Sequence, residues 1–431
     1  MLILGAWHKT KSLRLICLGI LVHVSLFFGV LDVYFSSPVE FGLSSFKTNF
    51  SLADRVVVFI ADGLRYEALG DVNFDGHTPF LNKIRRQYGV WGVSYTRVPT
   101  ESRPGHVALF GGMYEDPSAV LSGWKHNPVN VDNVFNQSVE SLLWGSPDIV
   151  PMFNRDNLKK INTHCYDTSF EDFSGRKSTI ELDKWVFEHV KDYLNRTSVQ
   201  RLQGGGKIFF LHLLGMDTVG HVFKPNSREY IDNLKYVDKQ IGNMFNLFQA
   251  FFEDNKTSYI FTSDHGMTDW GSHGSGSEHE TESPFIAWGS GLKRYEEPCY
   301  LHQADVAPLI SALLGINFPT NSVGLIPYMY LNATMYEEVL LLYTNMRQLG
   351  ERFNKRHERI QCATVYGFFK PFPWLNEKIF AKKINQIEGT IEKRSYEVAV
   401  GSTTSENNHL NINLYFIEGR YFRVNRINSR G

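Results

Sequence analysis

Arg55-Val-Val-Val-Phe-Ile-Ala61, running into Asp62-Gly63, decides the fold. A short, unbroken run of β-branched and apolar residues predicts a strand buried on both faces, as in a parallel sheet covered by helices. The arrangement recurs twice. Lys207-Ile-Phe-Phe-Leu-His-Leu-Leu214 runs into Gly215-Met216-Asp217, and Ser258-Tyr-Ile-Phe-Thr262 runs into Ser263-Asp264-His265-Gly266. Between the strands, Leu182–Leu194 and Tyr230–Phe252 carry apolar residues at threes and fours, which predicts helices. Alternation of this kind implies an α/β fold: a doubly wound, mostly parallel sheet with helices on both faces. Ligands of such sheets gather at the carboxyl ends of the strands, where Asp62, Asp217 and Asp264 all fall.

These acids suggest metal. Asp62, Asp264 and His265 make three N/O ligands, with a fourth position open to Thr100 Oγ or water. Asp217 and His221 stand four residues apart, so one helical turn brings both onto one ion. A third ligand for that ion comes from the polar 271–282 loop, where His273 and His279 compete. Asp and His without thiolate fit Zn²⁺ best, with Mn²⁺ possible. Two such ions bind the attacking and leaving oxygens of a phosphoryl group.

The nucleophile is sought in Arg97-Val-Pro-Thr-Glu-Ser-Arg-Pro-Gly-His106. A β-prone run ends near Val98 and an apolar run follows from Val107, so Thr100 is placed at a strand-to-helix junction. A helix N-terminus there favours an anion such as a phosphoryl oxygen. Capping the helix is the ordinary alternative role for this threonine. His212, inside an apolar strand, reads as a core histidine, and His106 as a helix residue or a substrate contact.

The chain has 431 residues and a net charge of −1, without a basic stripe interleaved with aromatics, so a nucleic-acid footprint is not expected. Its four cysteines form no CxxC pair, which argues against a thiolate site and leaves any disulfide unassigned. Leu13–Phe35 is long and apolar enough to cross a bilayer and follows Lys9, Lys11 and Arg14, so an uncleaved anchor with a cytosolic N-terminus is favoured over a signal peptide. Sequons at Asn49, Asn136, Asn195, Asn255 and Asn332 are compatible with a lumenal domain and no more. The organisation is read as residues 1–12 cytosolic, 13–35 anchor, 36–54 linker, 55–350 catalytic domain and 351–431 extension.

With these residues in hand, the strings VVVFIADGLR (Val56 to Arg65), TRVPTESRPGHVAL (Thr96 to Leu109), FFLHLLGMDTVGH (Phe209 to His221) and FTSDHGMTDWGSHG (Phe261 to Gly274) resemble the GPI ethanolamine phosphate transferases of the alkaline phosphatase superfamily. The resemblance implies an alkaline-phosphatase-like sheet in an endoplasmic reticulum membrane enzyme with a lumenal catalytic domain. Such an enzyme moves phosphoethanolamine from phosphatidylethanolamine to the first mannose of a GPI precursor glycolipid. Carried over by position, it makes Thr100 the nucleophile that holds a covalent intermediate. Asp62, Asp264 and His265 bind one zinc, and Asp217, His221 and His273 the other. Gly276-Ser277-Glu278 stands where the pattern reads Gly-His-Pro, which keeps His279 as the alternative to His273. Trp124, Lys125, Asn127 and Asp148 lie in similar strings without an assignable role. The family continues into a multi-span membrane block. Here an Asn-rich run ends at Gly431 instead, which reads as an alternative ending. Two other readings remain: a membrane-anchored phosphodiesterase or nucleotide pyrophosphatase, and a truncated, non-catalytic lumenal chain.

Overall fold

Seven residues of Arg55–Ala61 (β1) form a strand in which every side chain is buried, as its β-branched run requires. The other strands are Val90–Tyr95 (β2), Glu140–Gly145 (β3), Ile161–Cys165 (β4), Lys207–Leu213 (β5), Thr257–Thr262 (β6), Glu282–Gly289 (β7) and Cys299–His302 (β8). They make one eight-stranded sheet in the order β4-β3-β5-β1-β6-β7-β2-β8. The first five in that order run parallel, and β7 runs antiparallel to both β6 and β2. This is a mixed, mostly parallel sheet with β1 near its centre.

The computed structural model describes residues 2–35, 37–70, 76–115, 129, 131–154, 157–364, 384–385 and 388–389. Trp124, Lys125, Asn127 and the Asn-rich run after residue 400 lie outside the described residues. The chain divides into two units. In the first, Leu2–Tyr34 is one helix, longer than the predicted anchor because helical hydrogen bonding continues through its basic flank. Its Leu13–Asp32 stretch has a mean hydropathy of 2.2 and suffices to span a membrane. His23, which interrupts the apolar run, bonds the Gly19 carbonyl one turn earlier at 2.7 Å.

The second unit starts at Glu40 and holds the sheet. Residues read as linker join its surface: Phe46 bridges to Phe318, and the Glu40 amide donates to Asn321 Oδ1. Helices cover both faces. Val57, Phe59 and Ala61 pack with the Ile180–Arg196 and Arg228–Phe252 helices in one apolar cluster. The alternate residues Val56, Val58 and Ile60 face the other side, where the Val306–Leu314 helix packs on β1 and Phe110 meets Phe210 of β5 with ring centroids 4.8 Å apart. Each such apolar side chain contributes roughly 1.5–3 kcal/mol by leaving water. Among the described residues the cysteines are unpaired.

The Ile180–Arg196 helix also positions the site. Its Asp183 carboxylate is buried and accepts from Gly215 N at 2.8 Å, at the start of the Gly215–Phe223 helix that carries Asp217 and His221. Burial pushes the Asp183 carboxyl up to about 7, against the lowering effect of the Gly215 amide and Asn233. A carboxyl raised above its unfolded value binds more protons folded than unfolded, so its contribution falls as pH rises from about 4 to about 7. The stability of Asp183→Asn relative to wild type is therefore expected to improve between pH 5 and pH 7, by on the order of 1.4 kcal/mol per unit. Urea unfolding of both proteins at the two pH values measures the difference.

Candidate metal centre

Asp62 extends β1 by one more ladder bond, its amide donating to Leu213 O at 3.0 Å. The chain then turns through Gly63 at φ +70°, where an added Cβ would lie 2.9 Å from Asp217 Cα, so only glycine lets the β1 and β5 ends approach. Past β6, Asp264 and His265 are fully buried. His265 Nδ1 donates to Gly266 O at 2.8 Å, which leaves Nε2 3.5 Å from Asp62 Oδ1 and 3.6 Å from Asp264 Oδ2. Asp62, Asp264 and His265 thus present ligand atoms within 4.8 Å of one another.

Asp217, His221 and His273 form a second such group. Asp217 and His221 share one face of the Gly215–Phe223 helix, with Nε2 3.3 Å from Oδ1. His221 Nδ1 donates to Gly271 O and His273 Nδ1 to Thr100 O, each at 2.8 Å. All three imidazoles therefore commit Nδ1–H to a carbonyl and turn Nε2 inward, the atom that would face an ion. His221 Nε2 and His273 Nε2 stand 3.1 Å apart, a spacing that suits two ligands of one cation. Asp217 Oδ1 and Asp264 Oδ2 are buried without a hydrogen-bond partner among the described residues, which fits the same donor set. His279 is elsewhere: its Nδ1 lies 3.0 Å from Glu67 Oε1, so His273 completes the second group.

The charges are arranged asymmetrically. Burial, then Asp264 and Asp217, push the Asp62 carboxyl well above its usual range. Asp264 is held below it, because His265 and His106 outweigh its burial. His265 is raised to about 9 by Asp264, Asp62 and Asp217 despite its own burial. The two histidines read from sequence as core and helix residues sit behind these carboxylates. His212 Nε2 donates to Asp62 Oδ2 at 3.0 Å, with burial lowering its basicity to about 4. His106 Nδ1 lies 2.7 Å from Ser102 O and 3.3 Å from Asp264 Oδ2. An added Cβ at Gly105 would strike Asp264 O at 2.7 Å, so this glycine lets the Ser102–Gly111 helix press against the β6 end.

The hydroxyl facing the first group is not that of Thr100. Ser102 Oγ donates to Asp62 Oδ1 at 3.3 Å and lies 3.4 Å from His265 Nε2. Thr100 Oγ1 donates to Ser275 O at 2.7 Å and accepts from Gly274 N at 2.8 Å, which binds it into the 272–280 loop. Nor does Thr100 cap the helix, since Glu101 occupies that position. Two hydroxyls two residues apart flank the junction, and helix phase selects Ser102. Sequence reasoning missed it because Pro104 in the first turn placed the helix without setting its rotation.

Comparison with known proteins adds a family. The profile of the type I phosphodiesterase / nucleotide pyrophosphatase family matches residues 56–275, which hold every residue named above as a ligand. The chain belongs to this family. It is homologous to GPI ethanolamine phosphate transferase 1 of Mus musculus, 41% identical over 413 residues, covering 89% of this chain and 44% of that one. With the same transferase of Saccharomyces cerevisiae it shares 39% over 427 residues, covering 90% and 46%. The chain thus spans less than half the length of these curated relatives. Among solved structures, a mutant of the alkaline phosphatase PafA superposes with a TM-score of 0.52 at 12% identity, over 66% of this chain and all of that one, and shares the fold.

Metal analysis tests the two groups. Asp217→Ala and His221→Ala are each expected to lose about one of two bound divalent ions, whereas His279→Ala retains both. His212→Gln, which removes the imidazole that donates to the outer oxygen of Asp62, should weaken metal affinity about 10–100-fold in a chelator titration.

Proposed function

We propose that this chain transfers phosphoethanolamine from phosphatidylethanolamine to the first mannose of a GPI precursor, through a covalent intermediate on Ser102. The observation that carries the reading is the Ser102 hydroxyl held against Asp62 and His265 at a helix start. The relatives' shared name supports ethanolamine phosphate as the group transferred and GPI as the acceptor, and the family resemblance supplies phosphatidylethanolamine as donor and the first mannose as the acceptor site. Asp62, Asp264 and His265 would hold one ion, and Asp217, His221 and His273 the other, with zinc favoured by the mixed Asp/His set and manganese the alternative. When bound, the ions supply Lewis-acid activation of the hydroxyl and offset negative charge on phosphorus.

The residues of the chain do the rest. Ser102 Oγ attacks phosphorus and the bond to the diacylglycerol oxygen breaks; the serine proton ends on that oxygen, so neutral diacylglycerol leaves. The mannose hydroxyl then attacks phosphorus as the bond from phosphorus to Ser102 Oγ breaks, and its proton ends on Ser102 Oγ, restoring the serine. First-turn amides of the Ser102–Gly111 helix favour the phosphoryl oxygens. Carbonyl-anchored Nδ1 atoms hold the imidazoles in one orientation through both steps. The apolar helix would anchor the chain in the endoplasmic reticulum membrane, with the 55–350 domain in the lumen. The family profile supports a second reading, in which water takes the place of mannose.

Ser102→Ala is expected to lower turnover by about three orders of magnitude or more while bound metal stays near wild type. Thr100→Ala should keep Ser102 reactive. Peptide mass spectrometry of protein quenched with a phosphoethanolamine donor locates the intermediate, and a modified Thr100 would reject the assignment. A labelled donor consumed equally well without any mannose acceptor would favour the hydrolytic reading instead.

A further inference from the structure

Glu101, directly before Ser102, begins the helix with extended backbone and forms no side-chain cap. Its side chain crosses to the loop of the second group. Oε2 lies 3.5 Å from His273 Nδ1, and Oε1 lies over Gly274, where an added Cβ would come within 2.9 Å of it. His273 does not depend on this carboxylate, because its Nδ1–H already donates to Thr100 O at 2.8 Å. Glu101 is 40% exposed, and no Lys or Arg among the described residues pairs with it. Asp269 pairs with Arg65, Glu280 accepts from the Ser275 and Ser277 hydroxyls, and Glu171 accepts from the Ser146 hydroxyl.

Glu101 is thus a partly exposed carboxylate with no Lys or Arg partner among the described residues, one residue from the proposed nucleophile. We propose that Glu101 forms a subsite for the primary ammonium of the group being transferred, and so determines specificity for ethanolamine over neutral alcohols. This rests on the phosphoethanolamine reading above. Charge balance supports it. Three ligand carboxylates leave one positive charge from two divalent ions, and the single charge of a phosphodiester brings the centre to neutrality. The ammonium then enters with no counter-charge in the ligand set, and Glu101 provides one at the rim.

The test is calorimetric binding of O-phosphoethanolamine and of ethyl phosphate, matched except for the ammonium, to the metal-loaded full chain. Wild type should favour phosphoethanolamine about tenfold, the scale of a hydrogen bond to a charged group. Glu101→Gln should bring the ratio near one by weakening phosphoethanolamine alone, with metal content unchanged. Glu101→Asp should keep part of the preference. Raising salt on the wild-type protein should erode it too, which gives a readout free of any substitution. A preference that survives Glu101→Gln, or resists salt, overturns the subsite and leaves the transferase reading standing. Equal weakening of both ligands overturns it as well, since Glu101 would then act through His273. A wild-type ratio of one removes the ethanolamine reading itself, and the subsite with it.

Discussion

Everything at this site depends on the register of three parallel strands. Ala61 of β1 lies opposite Leu213 of β5, and Ile60 lies opposite Thr262 of β6. The three strands therefore end together, and the residues that follow them are forced into one small volume. Buried carboxylates at such spacing repel one another, and the raised Asp62 and lowered Asp264 carboxyls record how unevenly the surrounding imidazoles relieve that repulsion. A divalent cation reverses the balance by turning mutual repulsion into shared attraction. The glycines at the junction follow from the same constraint: Gly63 and Gly105 are the points where backbone approaches backbone too closely for a side chain.

A second layer of bonds makes the arrangement rigid. Each ligand imidazole is oriented by a carbonyl from a different segment: Gly266, Gly271 and Thr100. Arg65 donates to Met267 O and pairs with Asp269, which ties the loop after β1 to the loop after β6. Thr100 is part of this framework. Its carbonyl fixes His273 and its hydroxyl fixes Gly274 and Ser275, while Ser102 faces the carboxylates. The stretch 100–102 thus places three neighbouring groups differently: a hydroxyl that anchors the loop, a carboxylate beside His273 and a hydroxyl facing Asp62 and His265.

His212 and His106 show how tertiary packing changes the meaning of a residue. In sequence, a histidine within Phe-Phe-Leu-His-Leu-Leu is indistinguishable from one satisfied inside a core. In the structure it donates to the outer oxygen of Asp62, across the β1–β5 pairing. His106, on the Ser102–Gly111 helix with its ring centroid 4.9 Å from that of His212, stands 3.3 Å from Asp264 Oδ2. The metal groups consequently have a buried polar support that no local motif announces.

Strand identity, helix identity and the placement of Asp62, Asp217 and Asp264 were legible from sequence alone, because a buried strand needs a continuous apolar run and its end needs a turn. The i, i+4 pairing of Asp217 with His221 was legible for the same local reason. The residues alone left His273 and His279 competing, with only the family resemblance favouring His273, and that Ser102 rather than Thr100 faces the carboxylates was not legible. Both depend on the rotation and depth at which a loop or helix docks on the sheet, which long-range contacts such as Gly105 on Asp264 and His279 with Glu67 decide. Local chemistry names the residues able to react; only packing aims them.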